Sequence, residues 1–167
     1  MAISFKPEDP GLQHLILTLD VAIERKESYQ ARVSGIIDGD TLEVNLVGTD
    51  PIKFTGATST VTLQSTRLIE RVRLLGIDAP ETHSGEHANQ QCQYLGIGID
   101  GLYQLAKLST FHLQWLCPKG TKLTIKTSGK TRDDYGRILA GLFAGDLCIN
   151  RAMVEHGYAI AYQGHSD

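Results

Sequence analysis

Five side chains in three separate segments have the types that chemistry at a phosphoester needs. Asp40 follows an Asp38-Gly39 pair, and Arg73, Asp78 and Glu81 fall together in R-V-R-L-L-G-I-D-A-P-E-T (71–82). Arg137 closes D-D-Y-G-R. Calcium takes oxygen ligands and accepts few carboxylates if waters complete its shell, so Asp40, Asp78 and the backbone carbonyl near Ala79 are candidate ligands. Arginine at both basic positions offers a planar fork that holds two phosphate oxygens at once. Glu81 is then the carboxylate left to orient and activate a water. The plainer alternative is that Arg73 forms a surface ion pair with Asp78 or Glu81, worth about 0–1 kcal/mol, and that Arg137 is a solvated turn residue. Five such groups at three strand ends weigh against it.

The elements that must position these groups follow from the pattern around them. Val72, Leu74, Leu75 and Ile77 mark a buried strand within 68–77. Pro80 has no N–H to donate and pushes Ala79 into an extended conformation, so the strand must end there with its carboxylates on an exposed rim. Period-two alternation runs through Ala31, Val33 and Gly35 and again through Leu42, Val44 and Leu46, with the hairpin signal Asp38-Gly39 between the two strands. Asp38 serves the turn; Asp40 has no turn role, which singles it out as a ligand.

Residues 48–66, rich in Thr, Ser and Gly, suit an extra hairpin or a flap with a weak strand at 60–64. Residues 83–92 read as a polar loop. A transition-metal site from His83, His87 and Cys92, with Glu86 nearby, is an alternative that Gly85 and the irregular spacing disfavour. Leu102, Leu105, Ala106, Ser109, Leu113 and Leu116 form one face of a helix from about 101 to 116. Two strands follow, at 121–127 and in the continuous apolar run I-L-A-G-L-F-A, which must be buried on both faces. A short last helix opens with Asn150 as its cap and ends at Gly157. Residues 9–25 carry Asp9, Pro10 and apolar residues at helical spacing, which predicts an accessory helix, although the run L-I-L-T-L-D-V-A-I would also suit a strand. The expected fold is mainly β with α: a five-stranded, partly open antiparallel OB-fold barrel with two helices, residues 29–167, preceded by an N-terminal extension, residues 1–28.

Composition adds limits. The chain has 167 residues, enough for one domain and one site, and a formal charge of −3 gives no global sign of a nucleic-acid partner, so any phosphate binding must be local. No apolar run approaches a membrane span and the first residues do not resemble a secretory signal, which predicts a soluble protein, cytoplasmic or secreted after signal removal. Three cysteines at scattered spacing predict buried free thiols.

In this order, I-I-D-G-D-T, R-V-R-L-L-G-I-D-A-P-E-T, D-D-Y-G-R-I-L-A and I-N-R-A-M-V-E-H-G-Y-A resemble the successive signature blocks of the staphylococcal nuclease (thermonuclease) family over about residues 30–162. The resemblance implies an OB-barrel that cleaves DNA and RNA, in single-stranded or unpaired regions, with calcium to leave 3′-phosphates. It implies Asp40, Asp78 and the Ala79 carbonyl on calcium, Glu81 as general base, and Arg73 and Arg137 on the scissile phosphate. Tyr135 is implied beside the nucleotide and Tyr162 as a base-stacking ring. The chain departs from the type member at Ala79, where threonine is usual, at Asp134, where lysine is usual, in lacking a C-terminal helix, and in its slightly acidic balance. These departures predict weaker electrostatic capture of substrate. The competing function is a nucleic-acid-binding OB module without catalysis.

Overall fold

The computed structural model describes residues 27–46, 52–55, 60–63 and 68–162. The helix expected over 9–25 lies outside these residues. Ten strands and three helices follow in the order β1 (Glu27–Ile36), β2 (Thr41–Leu46), β3 (Ile52–Thr55), β4 (Thr60–Leu63), β5 (Leu68–Leu74), β6 (Ile77–Asp78), α1 (Glu86–Leu95), α2 (Ile99–Leu116), β7 (Lys122–Arg132), β8 (Ile138–Ala144), β9 (Leu147–Cys148), α3 (Ile149–Glu155) and β10 (Ile160–Ala161).

Five strands pair in the order β5-β2-β1-β7-β8, and β5 also pairs with β8, closing the barrel. The β5–β8 pairing is parallel. A partly open antiparallel barrel was the expectation; closure through one parallel pair makes it closed and mixed, and leaves both strands without a free edge there. The alternation that predicted β1 and β2 places Ala31, Val33, Leu42, Val44 and Leu46 inside, where they meet Val72, Leu74, Leu123, Ile125, Ile138 and Leu142. Ile138 through Leu142 are all buried, as the uninterrupted apolar run required. The predicted extra hairpin is present as β3 paired with β4.

Registers explain how distant segments meet. Arg73 on β5 lies opposite Thr41 on β2 and opposite Leu139 on β8. It therefore stands one residue from Asp40 on one side and two from Arg137 on the other. On the far side of the strand end, β10 pairs with β6, Ile160 opposite Asp78, and the N–H of Tyr162 donates to the Gly76 carbonyl at 2.9 Å.

Two local readings are corrected. Residues 86–95 form a helix, not a loop. Asn150 does not cap α3: its Oδ1 accepts the Leu142 N–H at 2.9 Å, while its Nδ2 donates to the carbonyls of Leu75 (2.9 Å) and Ala140 (3.1 Å). The fully buried amide thus ties α3 to the barrel wall and to the turn before Asp78. All three cysteines are free, but only Cys117 is fully buried, and burial pushes its thiol up to about 12. No helix among the described residues is long and apolar enough to cross a membrane.

Candidate active site

At the rim where β2, β5 and β8 begin or end, a pocket of about 390 Å³ is lined by Asp40, Arg73, Ala79, Glu81, Tyr135, Arg137 and Tyr162, together with Asp38, Thr82 and His87. Of the eight residues singled out in the sequence, only Asp78 is missing from this lining. It is 3% exposed and stands behind the wall, not on the exposed rim that Pro80 suggested. The reason is cover: β10 pairs over it and α1 folds against it.

Arg73 is the centre of the charge arrangement. It is 7% exposed, with Nη1 2.5 Å from Asp40 Oδ2 and Nη2 donating to Asp78 Oδ1 at 3.2 Å. The short approach to Asp40 is an ion pair without hydrogen-bond alignment, so Asp40 is the anionic partner of the buried Nη1.

Asp40 completes the turn between β1 and β2. Its N–H donates to Asp38 Oδ1 at 3.0 Å, an Asx turn that bears out the turn role of Asp38. Its own Oδ2 accepts the Ala79 N–H at 2.7 Å, which joins the two acid-bearing loops. Burial, opposed by Arg73 and reinforced by the neighbouring Asp38 charge, pushes the Asp40 carboxyl up to about 7. Gly39 approaches α2 so closely that a Cβ there would lie 2.7 Å from Ala79 Cβ and 2.8 Å from Ser109 Cβ. Gly39 is needed for that contact and not for a left-handed turn, since its φ is not positive.

Arg137 is aimed by the turn that carries it. Asp133 Oδ1 accepts the N–H groups of Tyr135 (3.0 Å) and Arg137 (2.9 Å), and its Oδ2 accepts Arg137 Nε at 2.7 Å. Burial alone would raise the Asp133 carboxyl, but these hydrogen bonds and the guanidinium charge outweigh it and hold the carboxyl below its ordinary value. Tyr135 is 86% exposed, its ring 5.4 Å from the Arg137 guanidinium carbon.

Residues 71–167 match the family described as staphylococcal nuclease homologue. This chain belongs to that family. Among its relatives, the endonuclease YhcR of Bacillus subtilis is 25% identical over 137 residues, covering 80% of this chain and 9% of the relative. An uncharacterized protein of Bacillus anthracis is 27% identical over 149 residues (87% of this chain, 55% of the relative), and one of Methanocaldococcus jannaschii 24% over 148 residues (84% and 62%). The chain therefore spans less than two thirds of the length of each.

Within this staphylococcal nuclease homologue, sequence reasoning missed the residue that binds the acid loop together. Gln91, buried on α1, donates from Nε2 to Asp78 Oδ2 (2.8 Å) and to the Ala79 carbonyl (3.0 Å), and its Oε1 accepts the Glu81 N–H (2.8 Å). One turn earlier, His87 Nε2 lies 3.0 Å from Asp78 Oδ2 and 3.9 Å from Glu81 Oε1. The i, i+4 spacing of His87 and Gln91 was the available signal, but α1 buries only Ala88 and Gln91 and so carries no apolar stripe. The alternative metal site at His83, His87 and Cys92 does not form: His83 Nδ1 faces Thr82 Oγ1 at 2.8 Å, and no cluster of three His, Cys, Asp or Glu ligands occurs among the described residues.

Asp40, Asp78 and the Ala79 carbonyl are oxygen groups of the kind a hard cation takes, and each already accepts a bond within the protein: Asp40 from the Ala79 N–H, Asp78 from Arg73 and Gln91, and the Ala79 carbonyl from Gln91. They sit together, since Arg73 contacts both carboxylates and Gln91 contacts both Asp78 and the Ala79 carbonyl.

Proposed function

We propose that this chain is a calcium-dependent phosphodiesterase that hydrolyses DNA and RNA with low sequence specificity, acting on unpaired strands and leaving 3′-phosphates. The observation that supports this reading is that Asp40, Arg73, Glu81 and Arg137, drawn from three segments, line one pocket. Arg73 and Arg137, both on the pocket lining and the latter steadied at Nε by Asp133, receive the non-bridging phosphate oxygens and offset the charge that grows on them. Glu81, part-exposed on the pocket wall and held at its N–H by Gln91, accepts a proton from a water as the water oxygen bonds to phosphorus. The bond from phosphorus to the 5′-oxygen breaks, and that oxygen takes a proton from solvent water as it leaves. Asp40, Asp78 and the Ala79 carbonyl would be the ligands of calcium, which would supply further positive charge to the site. Tyr135 and Tyr162 offer ring faces, which any base can stack upon, and this accounts for low specificity.

The test is incubation with single-stranded DNA and RNA in calcium or in chelator, with analysis of the product ends. Cutting in calcium alone, with 3′-phosphate ends, is expected. Retention of the strands uncut in calcium would instead identify a binding module, and undiminished cutting in chelator would remove the metal from the scheme.

A further inference from the structure

A second groove adjoins the pocket and has no part in the scheme above. Its volume is about 600 Å³, and it is lined by Thr82, Tyr103, Ala106, Lys107, Thr110 and Phe111. Thr82, next after Glu81, lines both cavities, so the two are neighbours. Tyr103, Lys107 and Phe111 recur at four-residue spacing on α2 and present a ring, a cation and a ring along one helix face. This face does not hold the fold together. Leu102, Ala106, Ser109 and Leu113 make the buried side of α2, while Phe111 is 67% exposed. Of the hydroxyls that line it, Thr110 Oγ1 donates to the Ala106 carbonyl at 2.9 Å and Thr82 Oγ1 lies 2.8 Å from His83 Nδ1.

We infer that this groove is a second nucleotide subsite, in which successive bases of a strand stack on Tyr103 and on Phe111, about 12 Å apart along α2, while Lys107 between them meets a phosphate. A base suits it better than a peptide or a lipid surface because the groove shares Thr82 with the pocket proposed to hold phosphate and sets its cation between two rings. The inference rests on the phosphodiesterase reading and extends it: affinity should grow when a strand is lengthened on the side that reaches α2.

Fluorescence anisotropy with labelled single strands, from a dinucleotide upward and extended in either direction, tests this in a Glu81→Gln background that binds without cutting. Wild-type cleavage is measured alongside. Phe111→Ala and Tyr103→Ala should each lose about fivefold or more of the affinity gained by lengthening, with the dinucleotide unaffected. Phe111→Tyr, which keeps the ring, should retain it, and Trp115→Ala, exposed on the same helix outside the groove, should change nothing. Binding of all lengths unaltered by Phe111→Ala and Tyr103→Ala, in a protein whose wild type cuts, would overturn the subsite alone. A change of mass in light scattering without a change in strand affinity would do the same and assign the groove to self-association. Failure of the wild type both to bind and to cut would overturn the phosphodiesterase reading and the subsite with it.

Discussion

Gln91 contacts three of the groups on which the proposed chemistry depends, and it does so with the right end of its amide toward each: N–H toward two oxygens, oxygen toward an N–H. Gln91→Leu would fill much of the volume but leave the Glu81 N–H and the Ala79 carbonyl without these partners, at about 1–3 kcal/mol for each group that stays buried. The partners of metal ligands typically matter ten- to a hundredfold in metal affinity, so calorimetric titration of Gln91→Leu should show calcium binding weaker by about that factor. Unchanged affinity in a folded variant would contradict the role. Asp133 works in the same indirect way on Arg137. Its folded-state pKa is depressed, so its stabilisation is complete above the ordinary aspartate value of about 3.9 and is lost as pH falls through the folded value. In urea titrations Asp133→Ala should therefore be less stable than wild type at neutral pH, with the gap closing below about pH 4. A gap that stayed constant into acid would show that the ion pair contributes nothing.

At the scale of elements, the site depends on how closely α2 lies on the turn between β1 and β2. Gly39→Ala would drive a methyl group into Ser109, whose Oγ is fixed on the Tyr158 carbonyl at 2.7 Å, and into Ala79. Overpacking of this kind costs about 1–3 kcal/mol and would shift Asp40 away from the Ala79 N–H. Thermal unfolding should show the loss, and pairing the change with Ser109→Gly should recover part of it; full stability in the single variant would contradict the contact. Elements were legible in the sequence where a hydrophobic period marked them. β1, β2, β8 and α2 carry clear periods or runs and were found close to their observed bounds. α1 was not, because the surface it meets is the charged loop Asp78–Glu81, and a helix that packs through an amide and an imidazole has no apolar stripe to read. Asn150 misled for a related reason: asparagine before a helix usually caps it, and only the fold shows the Leu142 and Ala140 backbone groups that hold it instead.

For the molecule as a whole, barrel closure is what makes a site. Arg73 is useful because β2 lies on one side of it and β8 on the other, and the parallel β5–β8 pairing that brings Arg137 near could not be inferred from strand patterns, which are silent about partners. The identity of the acids and arginines was legible; that Asp78 lies beneath the surface, reached only through Arg73, Gln91 and His87, was not. A net charge of −3 also means that capture of a polyanion falls to a few local cations, chiefly Arg73, Arg137 and Lys107. In the proposed reaction the assembled pocket performs hydrolysis with Glu81 as the base. The most direct measurement is the cleavage rate of a saturating single strand in calcium by wild type and by Glu81→Gln, each checked for folding. The account predicts a fall of about 10² to 10⁴ in rate with strand affinity retained. Equal rates for the two proteins would contradict it.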